Sequence, residues 1–262
     1  MIQNFNIFGK EFSAYQITAL IGILAAGFYA CRMVRKKEED DNDMIFFLLC
    51  AAGGVFLGSH LLYGITQFSY WKLLLSAASV PHFFYAFFVL FGGSVFYGGL
   101  LGGMLTGSLY IKIKKLPAAL YADIMASTVP LFHFFGRIGC FLCGCCYGIP
   151  FKNGIVYHAA AVESANGIAR FPVQLLEAML NGCLFFFLLY LFQKQIGKGK
   201  LFAVYLLLYS IIRFELEFLR GDEYRGFLWG LSTSQWISIF LFSGAIIFLL
   251  LKRKQKEHTK AV

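Results

Sequence analysis

Long apolar runs alternate with short basic ones along this chain, and the alternation predicts helices that cross a bilayer. A span needs about 20 largely apolar residues. Runs of that kind fall at roughly 14–31, 44–65, 94–111, 118–136, 173–192, 201–219 and 234–251. The basic clusters lie at alternate junctions: Arg32, Arg35, Lys36 and Lys37; Lys112, Lys114 and Lys115; Lys194, Lys198 and Lys200; Lys252, Arg253, Lys254, Lys256 and Lys260. Seven spans put all four clusters, 15 of the 23 Lys and Arg residues, on one side. Lys and Arg mark the cytoplasmic face, so the N-terminus is expected outside and the C-terminus inside. Residues 66–93 break the pattern. Their Trp71, Pro81 and many aromatics suit interfacial helices or a partly embedded arm better than an extra pair of short spans.

The expected fold is therefore an all-α polytopic membrane protein of about seven spans, residues 1–262 forming a single domain. Composition agrees: the chain is 59% hydrophobic and 14% charged, against about a quarter charged in soluble domains. Met1 to Ser13 lacks the basic n-region and small-residue cleavage site of a signal peptide, so the first run reads as a retained span. The net charge of +9 fits basic cytoplasmic loops, and no nucleic-acid motif accompanies it.

Several stretches carry chemistry. Gly136–Gly148, G-R-I-G-C-F-L-C-G-C-C-Y-G, sets Arg137 at the end of a span among glycines. A guanidinium offers phosphate a bidentate fork, and Gly136, Gly139 and Gly148 would let a headgroup approach the backbone. Cys140, Cys143, Cys145 and Cys146 could pack, form disulfides or hold metal. Packing or a disulfide ranks first, because no second C-x-x-C pair supplies a zinc knuckle. In R-F-P-V-Q-L-L-E, Pro172 suits a helix start, and Gln174 and Glu177 share a face, the carboxylate needing a partner such as an arginine. Tyr209, Arg213, Glu217 and Arg220 are spaced to lie on one helical stripe, where alternating charge lowers the cost of embedding. Gly99, Gly103 and Gly107 form a helix-packing stripe. Tyr15 reads as a belt anchor, Asp123 and His133 as structural, and Gln235 as a cap or cavity residue.

Taken together these motifs resemble the prolipoprotein diacylglyceryl transferase family over nearly the whole chain. The family signature is approximately G-R-x-G-N-F-x-N-x-E-x-x-G. Gly136, Arg137, Gly139, Phe141 and Gly148 match it, while Cys140, Cys143 and Cys145 stand where the family has Asn, Asn and Glu. Tyr97, before Gly98 and Gly99, replaces the histidine of an H-G-G motif. The R-x-P-x-Q-L-x-E motif matches Arg170, Pro172, Gln174, Leu175 and Glu177, and the Y-x-x-x-R-x-x-x-E-x-x-R pattern matches in full. Tyr15 matches an early family tyrosine, and Gln235 a late glutamine, with Ser234 in place of a glycine.

The resemblance implies transfer of a diacylglyceryl group from phosphatidylglycerol to the lipobox cysteine of a prolipoprotein signal peptide. The bacterial plasma membrane is the implied location, with the site near the outer leaflet. Arg137, Arg213 and Tyr97 are the implied catalytic residues. Tyr15, Gly98, Gly99, Gly136, Gly139, Cys140, Gly148, Gln174, Glu177, Tyr209, Glu217 and Arg220 would bind substrate, with no cofactor and no metal. A tyrosine, with an ordinary pKa near ~10, is a poorer base than the histidine it replaces. Two other functions remain compatible with the residues: a paralogue with another acceptor, and a non-catalytic protein that binds anionic lipid. A cysteine-based redox or metal protein is a weaker third.

Overall fold

The computed structural model describes residues 4–7, 9–77, 79–222 and 226–261; Met1, the first residue of the segment read as lacking a signal peptide, lies outside them. In chain order the elements are β1 (Asn4–Ile7), β2 (Lys10–Ser13), α1 (Ala14–Arg35), α2 (Asp41–Thr66), α3 (Phe68–Leu75), α4 (Val80–Phe91), α5 (Phe96–Lys114), α6 (Ala118–Cys143), β3 (Pro150–Val156), β4 (Ala169–Arg170), α7 (Val173–Gln193), α8 (Leu201–Leu216), β5 (Phe227–Leu228), β6 (Leu231–Ser232) and α9 (Thr233–Ala261). The strands form only two-stranded antiparallel pairs.

This is an all-α polytopic membrane protein. Helices α1, α2, α6, α7 and α9 are each long and apolar enough to cross a bilayer. The other two expected spans are also helical, α5 with 19 residues and α8 with 16. Leu24, Phe28, Phe56, Phe186 and Phe240 are exposed, an arrangement suited to lipid, where every backbone polar group must bond within its own helix. The chain divides into two compact units, Met1–Met33 with Ala119–Val262, and Val34–Ala118.

In the Val34–Ala118 unit, α2 and α5 meet along a glycine seam. A Cβ on Gly98 would stand 2.2 Å from the Gly58 carbonyl oxygen, and one on Gly102 2.1 Å from that of Gly54. Removing side chains lets the backbones touch, which is how helices gain packing where lipid tails are as apolar as leucine. The predicted stripe of Gly99, Gly103 and Gly107 flanks this seam, with Gly103 against Val55 and Gly107 against Phe47. Thr106 donates to the Cys50 carbonyl at 2.8 Å across the same contact. Helices α3 and α4, of 8 and 12 residues, fill the 66–93 region and are too short to cross. Trp71 donates to the Gly64 carbonyl at 3.0 Å and its ring meets Phe91 edge-on, tying this pair back to α2.

The other unit holds every buried polar or charged side chain among the described residues. Asp123 shows why such groups are tolerated. It accepts from Gly199 N at 2.5 Å and Leu201 N at 2.9 Å, satisfying donors at the start of α8 that no helical carbonyl reaches. Its structural reading holds. Between α6 and α7, Tyr147, Tyr157 and Ala165 make a small core beneath β3 and β4. Buried Arg170 staples that layer by donating to the carbonyls of Ala165, Gly148 and Ser164, with its guanidinium 4.2 Å from the Tyr147 ring centroid.

Candidate functional site

The end of α6 sets the geometry. Sequence periodicity stopped this helix near residue 136, but it runs on to Cys143. Gly139 does not break it, because α1 fills that face: a Cβ there would stand 2.2 Å from Thr18 Oγ1 and 3.1 Å from the Tyr15 ring. Gly144, at φ +71°, then closes the helix. Its N–H reaches the Phe141 carbonyl at 3.2 Å and the Cys145 N–H reaches that of Cys140 at 3.1 Å, the paired bonds of a Schellman turn. Arg137 therefore lies two turns inside a helix rather than at its end. Gly136 beside it has open space where a side chain would project.

Helix α7 supplies the counter-charge. Pro172 precedes its first residue, and both Gln174 and Glu177 are buried on one face. Glu177 Oε1 pairs with Arg137 Nη2 at 3.0 Å, the arginine partner its burial demands. Gln174 donates through Nε2 to the Cys145 carbonyl at 2.8 Å and accepts from the Tyr157 hydroxyl at 3.3 Å, which fixes the chain beyond α6.

The second charged group closes α8. Arg213 Nη1 pairs with Glu217 Oε2 at 2.6 Å, and Nη2 donates to Ser234 Oγ at 2.9 Å. Tyr209 stacks on Tyr205, and its ring centroid lies 5.5 Å from that of His133. The expected four-residue stripe holds for Tyr209, Arg213 and Glu217 but not for Arg220. A 3-10 turn over Glu217–Leu219 ends the helix, and Arg220 is extended at φ −83°. Backbone pairing draws it out: Ile149 N donates to the Leu219 carbonyl and Gly221 N to that of Tyr147. Gly148, facing Arg220 across this bridge, has the Phe171 carbonyl 2.3 Å from where a Cβ would stand. Arg220 forms a two-toothed pair with Asp222, at 2.9 Å from Nε and 2.6 Å from Nη2. Burial opposes its charge, and Asp222 more than restores it, so the guanidinium stays firmly protonated.

Tyr15 is half-exposed and within electrostatic reach of Cys140, Cys145 and Arg137. Gln235 proves to be a cap: its Oε1 accepts from Ser232 N at 2.9 Å while its own N–H reaches Ser232 Oγ at 3.2 Å, a capping box for α9. None of the seven cysteines is joined in a disulfide. Just past α6, hydrogen bonds from Cys140 and Cys145, with Arg220 and Arg137 nearby, hold the Cys146 thiol below its ordinary range. The same thiol contacts, with burial, push Cys145 up. Tyr97, Gly98 and Gly99 belong to the other compact unit, the two glycines facing α2.

Two partners escaped the sequence reading. Asp222 and Ser234 became partners only through the fold. His133, read as structural, lies one turn before Arg137, a spacing of four that was visible in the sequence.

The sequence model of the prolipoprotein diacylglyceryl transferase family matches residues 3–251. Curated relatives include the phosphatidylglycerol–prolipoprotein diacylglyceryl transferase of Clostridium tetani, 32% identical over 97% of this chain and 98% of that one. The second such enzyme of Clostridium perfringens is 34% identical over 97% and 96%. That of Campylobacter hominis is 32% identical over 97% and 92%.

Proposed function

The chain belongs to the prolipoprotein diacylglyceryl transferase family, and from that premise we propose that it moves a diacylglyceryl group from phosphatidylglycerol to the lipobox cysteine of a prolipoprotein. The observation that carries the reading is the trio of ion pairs in one unit, Arg137–Glu177, Arg213–Glu217 and Arg220–Asp222. Unpaired cations are costly in a membrane protein, and arginines retained there mark anionic groups to be held.

In this mechanism Arg137 and Arg213 grip the phosphodiester through their forks. The acceptor thiol loses its proton to solvent, and its sulfur attacks the glyceryl CH2 next to the phosphate ester oxygen. A C–S bond forms, the C–O bond breaks, and its electron pair leaves on glycerol phosphate. The two guanidinium groups stabilise the charge that develops on the departing oxygen. Glu177, Glu217 and Arg220 orient them. Tyr209 and Gln174 line the same region, and Tyr15, Gly136 and Cys140 border the headgroup, whereas the space at Gly139 and Gly148 is taken by Thr18 and by the Phe171 carbonyl. The basic loops support a plasma-membrane orientation with the N-terminus outside and the site near the outer leaflet.

The test is transfer of labelled diacylglyceryl from phosphatidylglycerol to a lipobox peptide. Wild-type protein should transfer. Arg137→Ala and Arg213→Ala should each lose at least about 100-fold, the scale for removing one charge-stabilising donor. Folded wild-type protein that binds the lipid and never consumes it would replace this reading with lipid binding alone.

A further inference from the structure

The Schellman turn that ends α6 does more than stop a helix. It folds Cys145 back over Cys140, and Cys146, at φ +54°, turns in beside them. The three Sγ atoms lie within 4.8 Å of one another. No disulfide joins them. Cys143, in the same run, stays outside the group, as do Cys31, Cys50 and Cys183.

We propose that Cys140, Cys145 and Cys146 form a three-thiolate site for Zn2+, with its fourth position open to an incoming thiol. Zinc–sulfur bonds are about 2.3 Å, so three sulfurs around one ion stand about 3.8–4.0 Å apart. The site needs to contract by less than about 1 Å from the separation found here. Thiolate donors select zinc or Cu+ over magnesium or calcium. Zinc prefers four ligands, and three from protein plus one exchangeable position is the pattern of sites that react rather than merely brace. The surroundings are organised for it. Gln174 clamps the Cys145 carbonyl and is itself held by Tyr157, the kind of outer contact that aims a ligand. Three thiolates on Zn2+ leave one formal negative charge, and Arg137 and Arg220 both act electrostatically on Cys146.

The open position deepens the function proposed above and rests on it: the thiol it takes is the acceptor cysteine. On binding, that thiol gives its proton to solvent. Its sulfur then forms the C–S bond as the C–O bond to phosphate breaks, and no atom changes oxidation state.

The test uses the full chain, purified reduced in detergent, loaded with Zn2+ and dialysed. One zinc per chain should remain. Cys140→Ser, Cys145→Ser and Cys146→Ser should each lower retention at least tenfold, while Cys143→Ser and Cys183→Ser keep it, with circular dichroism verifying folding of each. Cobalt in place of zinc should give thiolate charge-transfer absorption that shifts on adding a lipobox peptide and not on adding its Cys→Ser form. No zinc retained, retention indifferent to all three variants, or Cu+ held in place of zinc overturns the site. A cobalt spectrum unmoved by the cysteine peptide overturns the open position. Zinc and peptide bound without any transfer would leave the site standing and overturn the transferase reading instead.

Discussion

Replacing Glu177 with Gln isolates the charge on Arg137 without removing volume. The carboxylate oxygen lies 3.0 Å from Nη2, and at an effective dielectric of about 20 that contact is worth about 5–6 kcal/mol before desolvation. Glu177 is 4% exposed and Arg137 is 20% exposed, so residual solvation of the guanidinium places the net loss near the lower end of the ~3–5 kcal/mol found when one partner of a buried pair is removed. At about 2–4 °C per kcal/mol for a chain of this size, Glu177→Gln should melt about 6–12 °C lower in neutral detergent. Phosphatidylglycerol should recover part of the loss by supplying the missing anion, and phosphatidylcholine should recover less. The double variant Arg137→Met, Glu177→Met, which leaves no unpaired charge, should melt above Glu177→Gln. The reasoning fails if the double variant melts no higher, or if the two lipids stabilise the single variant equally.

Asp123→Ala removes both acceptors for Gly199 N and Leu201 N and should destabilise by about 3 kcal/mol in thermal denaturation, since bonds to a charged acceptor are worth about 1.5–3 kcal/mol each. Gly58→Ala places a Cβ 2.2 Å from the Gly98 carbonyl oxygen, forcing α2 and α5 apart. Its melting temperature should fall by the equivalent of about 1–3 kcal/mol, whereas Gly53→Ala, with open space at its Cβ, should show no loss. Arg170→Lys cannot reproduce donation to three carbonyls by a planar fork, so limited proteolysis between residues 149 and 172 should accelerate several-fold while helical circular dichroism is retained.

The spans were legible because lipid imposes one solution on a long apolar run: α2 and α7 lie close to where hydropathy puts them, and α9 starts as expected but runs on past residue 251. The end of α6 was not, since glycine normally signals a break. Gly139 is present because Thr18 and Tyr15 crowd it, a fact about α1 that local sequence does not carry. The Arg213–Glu217 pair followed from a spacing of four, and the need of Glu177 for an arginine from the cost of embedding a lone carboxylate. Arg220 left its stripe because strand-like pairing with residues 147–149 competes with helix, and such pairings join positions about 70 residues apart. The cysteines were ambiguous for the same reason. C-x-x-C-x-C-C suggests a C-x-x-C pair, while the Schellman turn groups Cys140 with Cys145 and Cys146 instead.

Each of the three site arginines carries its own carboxylate at rest, and this bears on turnover. A phosphodiester has one negative charge, whereas the phosphomonoester released by the proposed reaction has about 1.5–2 at neutral pH. Bare guanidinium groups would hold the product more tightly than the substrate, and the enzyme would stall on its own leaving group. In the proposed mechanism Glu177, Glu217 and Asp222 would reclaim the arginines, competing for the same donors that the departing phosphate would occupy. In that mechanism, re-forming the resting ion pairs would eject the product, and the three paired arginines would enter the next cycle already neutralised.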